Sequence, residues 1–243
     1  FDEIDSTNNR AKELGEKDGA HGTLFVADRQ VAGKGRRGRV WESPKGISIY
    51  MTILLRPDLI PTKAPMLTLV MAQSVAEGIR EVTGMETGLK WPNDIVMNKN
   101  QVCGILTEMS TEIDYINYVV IGVGINVNQK VFDEELKEKA TSLMIETGAP
   151  VKRSALIAAV MKHFEKNYAL FIENGDLSGL QESYNEMLVN RGKEVRILEP
   201  GNEYNANAYG INETGELIVR TQKGEEKHIF AGEVSVRGIY GYV

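Results

Sequence analysis

The feature that most constrains this chain is a basic, glycine-rich loop, Gly33-Lys34-Gly35-Arg36-Arg37-Gly38, which matches G-x-G-x-x-G letter for letter. A dinucleotide-binding fingerprint needs a strand before that loop and a helix after it. A strand is expected over 23–28, but the loop runs on into Val40-Trp41-Glu42-Ser43-Pro44, which cannot open a helix. A doubly wound nucleotide fold is therefore rejected. What remains is a loop whose glycines allow close backbone approach and whose guanidinium groups bind phosphate or carboxylate in a two-pronged way. Arg29, Lys34, Arg36, Arg37 and Arg39 crowd into this stretch with no acid between them, although the 243-residue chain has a net charge of −6. A basic island on an acidic body argues for a small anionic ligand and against a nucleic-acid surface.

The rest of the chain reads as strands with helices interposed irregularly. A short helix is expected over 5–18, with Ser6 or Thr7 as its cap. A half-buried strand is expected over 47–55, and Pro65 opens a long helix to about residue 83. Strands follow at 88–91, 94–98, 101–109 and 116–128, with Asn98-Lys99-Asn100 as a hairpin turn. Residues 133–140 are expected as a short charged helix, and 153–173 and 177–189 as two more. This order predicts an α+β fold around a mixed β-sheet. Beyond Asn190-Arg191-Gly192 come closely spaced short strands at 193–198, 203–211, 217–221, 227–231 and 234–237. They suggest a small β-barrel, dividing the chain into domains at 1–190 and 191–243.

Other classes drop out on composition. No apolar run reaches the ~20 residues of a membrane helix, so no membrane partner is expected. Cys103 is the single cysteine, and His21, His163 and His228 are too scattered for a zinc site. With no signal peptide, a cytoplasmic protein is expected. Three further stretches are dense in chemistry. Asp5-Ser6-Thr7-Asn8 offers hydroxyls that serve as a cap or as ligands. Gly88-Leu89-Lys90-Trp91-Pro92-Asn93-Asp94 places a cation at a strand end beside an Asn-Asp pair, suited to an anion, a ribose or a metal, or simply to a turn. Gly122-Val123-Gly124-Ile125-Asn126 ends a buried strand, where glycines leave room for a ligand or relieve a crowded sheet.

Taken together and in this order, these stretches resemble the biotin protein ligases. The resemblance extends through Ala27-Asp28-Arg29-Gln30, Gly104-Ile105-Leu106 and Gly232-Glu233-Val234-Ser235-Val236-Arg237, and covers essentially the whole chain. One departure is visible: the family's loop begins Gly-Arg-Gly-Arg, and here Lys34 replaces the first arginine, keeping the charge without the fork. A second departure is that the N-terminal helix-turn-helix domain of the repressor members is absent from this chain, so no DNA binding is expected of it.

The resemblance implies a mixed sheet with helices on one side, as in class II synthetases and biotin–lipoyl ligases, and an SH3-like C-terminal barrel. It implies an enzyme that activates biotin with ATP and Mg2+ to biotinyl-5′-AMP and then transfers biotin to a lysine of a biotin carboxyl carrier domain. No tightly bound prosthetic group is implied, and a homodimer is. Carried over by position, Ser6, Thr7, Asn8, Gln30, Lys34, Gly35, Arg36, Lys90 and Gly104 would bind biotin. Arg36, Arg39, Trp41, Lys90, Asn93 and Asn126 would hold ATP or the adenylate. Lys90 and Arg36 would be catalytic, and Asp94 would face the metal. A lipoate-type ligase and a non-catalytic biotin-sensing regulator are the alternatives. The first is disfavoured by the Gly/Arg loop and the second by the missing DNA-binding domain.

Overall fold

A computed structural model describes residues 1–199, 201–231 and 235–238. Of the C-terminal motif, Gly232, Glu233 and Val234 lie outside the described residues. The chain runs α1 (Thr7–Gly15), β1 (Thr23–Ala27), β2 (Ile49–Leu55), α2 (Met66–Thr83), β3 (Gly88–Lys90), β4 (Asp94–Met97), β5 (Asn100–Thr111) and β6 (Ile116–Ile125). It continues with α3 (Leu143–Thr147), α4 (Arg153–Asn174), α5 (Gln181–Met187), β7 (Glu194–Glu199), β8 (Asn202–Ile211), β9 (Leu217–Thr221), β10 (Glu226–Ile229) and β11 (Ser235–Gly238). The first six strands form one sheet in the order β1-β2-β6-β5-β4-β3, and the last five form a second in the order β10-β9-β8-β7-β11.

The α+β class stands. Within it every named ladder is antiparallel, and parallel pairing is confined to isolated bridges such as Leu89 with Leu188. The long helices α2 and α4 pack together over one face, where Met51, Ile53, Ile121, Val123, Ile95 and Cys103 join the main core. The short α1 lies on the other face, where its Ala11 meets Leu54, Tyr118 and Val120. This explains why all seven residues of β2 are buried where a half-buried strand was expected: both of its faces are covered. The hairpin at Asn98-Lys99 forms as expected, both residues taking positive φ.

The charged helix expected over 133–140 is replaced by turns. Leu136 and Ala140 give that stretch too little apolar face to dock a helix. Gln101 instead ties it to the sheet, its N–H donating to Lys139 O and its C=O accepting from Thr141 N. The small sheet does not hang free. Val195, Ile197, Ala206 and Leu217 belong to the same continuous core as α2 and β5. The buried Trp91 donates its indole N–H to Gly215 O at 3.0 Å, across the junction of the two sheets.

Candidate functional site

The register of the large sheet lays out the site. Gly124, Gly104, Asp94 and Lys90 are successive Cα partners across β6, β5, β4 and β3. In the next row on the same face, Gly122 pairs with both Thr52 on β2 and Leu106 on β5. Directly paired residues share a face, so both rows point away from the main core. On that face β6 reads Tyr118, Val120, Gly122, Gly124. The first two residues lie under α1, and the glycines continue the face as a floor without side chains of its own. From Thr52 to Lys90 is four strand spacings, roughly 19 Å.

The loop over 29–41 covers this floor and encloses a cleft of about 740 Å³. Every candidate residue named above, from Ser6 to Asn126, lines it. A neighbouring hollow of about 770 Å³ shares Gln30 and Trp41, but Arg36, Lys90, Asn93 and Asp94 are not among its walls.

At the β2 side of the cleft stand buried hydroxyls and amides. Ser6 occupies the N-cap position of α1, yet its side chain makes no capping bond. Thr7 Oγ1 donates to Gln30 Oε1 at 3.0 Å, and the Thr7 N–H donates to the same oxygen at 2.8 Å. Gln30 in turn donates to Ser43 Oγ at 3.0 Å. These hydroxyls serve the cleft wall in place of the helix cap that was the default expectation. Thr52 and Glu108 belong to the same network and were not anticipated. Thr52 was detectable as the lone hydroxyl in the aliphatic run 51–55, whereas Glu108 meets Asn8 only through sheet register, 100 residues away.

Cations gather at the β3 side. Lys90 is 5% exposed, with Nζ 3.9 Å from Asp94 Oδ2, and Asp94 Oδ1 accepts from Gln101 Nε2 at 2.8 Å. Arg36 reaches across from the loop, donating to Asn93 Oδ1 and to Ala231 O, both at 2.8 Å. Burial pulls the Arg36 guanidinium below its usual value, and the charge of Asp94 works against that pull. Lys34 donates to Asn9 Oδ1 at 2.7 Å, an arrangement its single ammonium satisfies without a fork.

The Trp41 indole lies against the glycine floor. A Cβ at Gly104 would come within 2.8 Å of its ring, and one at Gly124 within 2.5 Å of its Nε1. The sheet glycines thus make room for the protein's own side chains. Trp41 Nε1 faces Gly124 and is buried with no hydrogen-bond partner among the described residues. Among the described residues, no three His, Cys, Asp or Glu side chains cluster as a resident metal would require. Asp94 as a single carboxylate suits a magnesium ion that keeps its waters and arrives on nucleotide phosphates.

Residues 1–126 match the model of the biotin/lipoate A/B protein ligase family, and 192–237 match the biotin protein ligase C-terminal domain. The chain belongs to the biotin protein ligases. It is 39% identical over 239 residues to the bifunctional ligase/repressor BirA of Bacillus subtilis, covering 97% of this chain and 72% of that protein. To the biotin–[acetyl-CoA-carboxylase] ligase of Paracoccus denitrificans it is 30% identical over 231 residues, covering 91% and 93%. Its fold superposes on a biotin protein ligase from Aquifex aeolicus in complex with biotin and ATP with a TM-score of 0.86 at 34% identity, covering 98% of this chain and 97% of that one. As a biotin protein ligase it is an enzyme. No helix among its described residues is long and apolar enough to cross a membrane.

Proposed function

We propose that this ligase joins biotin to ATP, forming biotinyl-5′-AMP and releasing pyrophosphate, and then passes the biotinyl group to a lysine of a biotin carboxyl carrier domain. The observation that carries this reading is that one cleft has neutral hydrogen-bonding groups on one side and Lys90 and Arg36 on the other. In the first step a biotin carboxylate oxygen attacks the α-phosphorus and pyrophosphate leaves. Bringing a carboxylate against a triphosphate is opposed by charge repulsion, and preorganised cations in a water-poor cleft relieve it. In the second step the carrier amine attacks the acyl carbon and AMP leaves.

Ser6, Thr7, Asn8 and Gln30 take the ureido ring in this reading, with Gly104 beside it. Lys34 and the backbone of Gly35 and Arg36 line the valeryl chain and carboxylate. Lys90 bridges the carboxylate and α-phosphate. Arg39, Trp41, Asn93 and Asn126 hold the nucleotide. Magnesium brought in with ATP supplies further neutralisation of the phosphates, and Asp94 is the residue that would hold it. We assign this catalytic work to residues 1–190 and treat 191–243 as the C-terminal unit. Incubation with biotin, ATP and a carrier domain, followed by weighing the carrier, is expected to show one added biotinyl group; an unmodified carrier overturns the reading.

The assignment of Trp41 has its own test. Gly124→Ala drives a Cβ against the indole and should displace it from the floor. Losing one aromatic platform for a base costs ~1–3 kcal/mol, so the KM for ATP should rise roughly tenfold or more while the KM for biotin stays near the parent value. Equal rises in both constants would place Trp41 elsewhere in the reaction. The ligase further forms a homodimer strengthened by the adenylate, in this reading. Its support is β1, which stands at the edge of the large sheet. Sedimentation should show a dimer that gains strength with adenylate, and a monomer at high micromolar concentration in both states rejects it.

A further inference from the structure

We propose that Glu108 is a positioning residue for biotin: it locks the Asn8 amide in one orientation and thereby sets the donor and acceptor pattern that Thr7 and Gln30 offer to the ureido ring. This rests on the cleft being the biotin site.

The argument is a count of protons. Glu108 sits on β5 opposite Val120, beneath α1, where Lys12 Nζ reaches its Oε1 at 2.8 Å. Asn8 Nδ2 lies 2.8 Å from Glu108 Oε2 and 3.3 Å from Leu106 O. Carboxylate and carbonyl oxygens accept without donating, so the amide end facing them is the NH2 and the end facing away is Oδ1. Burial opposes the charge on Glu108, but the hydrogen bonds from Lys12 and Asn8 outweigh it and hold the carboxyl below its usual range.

Thr52 Oγ1 is 2.6 Å from Asn8 Oδ1 and 2.8 Å from Thr7 Oγ1. Since Oδ1 has no proton, Thr52 gives its own to Asn8, and Thr52 is fully buried, so no water substitutes. The Thr52 oxygen therefore turns a lone pair toward Thr7. Gln30 Oε1 demands the same Thr7 proton from the other side. Three oxygen–oxygen contacts share two protons. When the Thr7 proton goes to Thr52, Thr7 Oγ1 and Gln30 Oε1 are left as adjacent acceptors, the complement of a ureido N–H. Reversing the Asn8 amide would send a proton down the chain from Nδ2 through Thr52 and Thr7 to Gln30. Every contact would then be satisfied: Gln30 Oε1, accepting from both the Thr7 N–H and the Thr7 hydroxyl, would have no lone pair left for the ligand, and Thr7 Oγ1 would have one fewer.

The test compares kcat/KM for biotin with that for the two cyclic carbamate analogues, in each of which a ring oxygen replaces one ureido N–H. Dethiobiotin, which keeps the ureido group and lacks the sulfur, is the reference. The parent should discriminate strongly against a carbamate. Glu108→Gln, whose amide accepts either end of Asn8, should lose roughly tenfold or more of that discrimination. The swap Asn8→Asp with Glu108→Gln restores the original sense, because the new amide donates to Asp and the other Asp oxygen accepts from Thr52. It should recover the parent ratio. Lys12→Met, which removes the ion pair and leaves the Asn8 bond, should discriminate like the parent, and dethiobiotin ratios should not move in any variant. Unchanged carbamate discrimination in folded Glu108→Gln, or lost discrimination in the folded swap, overturns the proposal. A parent enzyme that makes no adenylate from biotin overturns the biotin reading itself.

Discussion

Lys90→Ala is expected to slow pyrophosphate release by on the order of 10²-fold or more at saturating biotin and ATP, as for the loss of one preorganised donor. Lys90 is nearly buried at the end of β3, with Asp94 3.9 Å away. Its removal does more than subtract a cation. The carboxylate of Asp94 is left facing the cleft without that balance, so repulsion toward the α-phosphate and the biotin carboxylate rises together. Thermal melting near the parent value would separate this effect from unfolding. Pyrophosphate release at the parent rate in a folded Lys90→Ala rejects the role.

Arg36→Gly should still make adenylate but hold it poorly. The guanidinium ties the loop to Asn93 in the turn between β3 and β4 and to Ala231 just beyond β10. A charge-assisted contact of this kind is worth ~1.5–3 kcal/mol, so adenylate dissociation should quicken roughly ten- to hundredfold. Released mixed anhydride would then biotinylate lysines on bystander proteins. Adenylate dissociation and bystander labelling, read in one preparation, decide the matter. A slower formation step with unchanged dissociation would show that Arg36 relieves repulsion without holding the loop closed.

The chemistry of the cleft was readable in the sequence because strand-end polar residues and glycines interrupt otherwise apolar runs. In β6 the change from Tyr118 and Val120 to Gly122 and Gly124 on one face marks where α1 stops and the floor begins. The meaning of those glycines was less readable. Two readings were open, room for a ligand or a crowded sheet, and the crowding comes from Asn8 and Trp41, more than 80 residues earlier. Contacts made purely by register stayed hidden for the same reason, above all Glu108 with Asn8. The buried second face of β2 was also out of reach, since α1's narrow apolar stripe at Ala11 and Leu14 does not announce which strand it covers. At 133–140 the run of charged residues was read as a short helix, and the missing apolar face decided against it.

The bond from Arg36 to Ala231 spans 195 residues of chain. At a ribosomal pace of about 5–20 residues per second, the oxygen that anchors the loop is synthesised roughly 10–40 s after the arginine that seeks it. A nascent chain already carrying the whole large sheet would thus lack its latch. The two-sheet core has the same timing, because the Gly215 carbonyl that receives the Trp91 indole N–H follows it by 124 residues. On the proposed reading the cleft is fastened only once this later segment has been made, and a chain that stops short of Ala231 lacks the contact that would hold the adenylate.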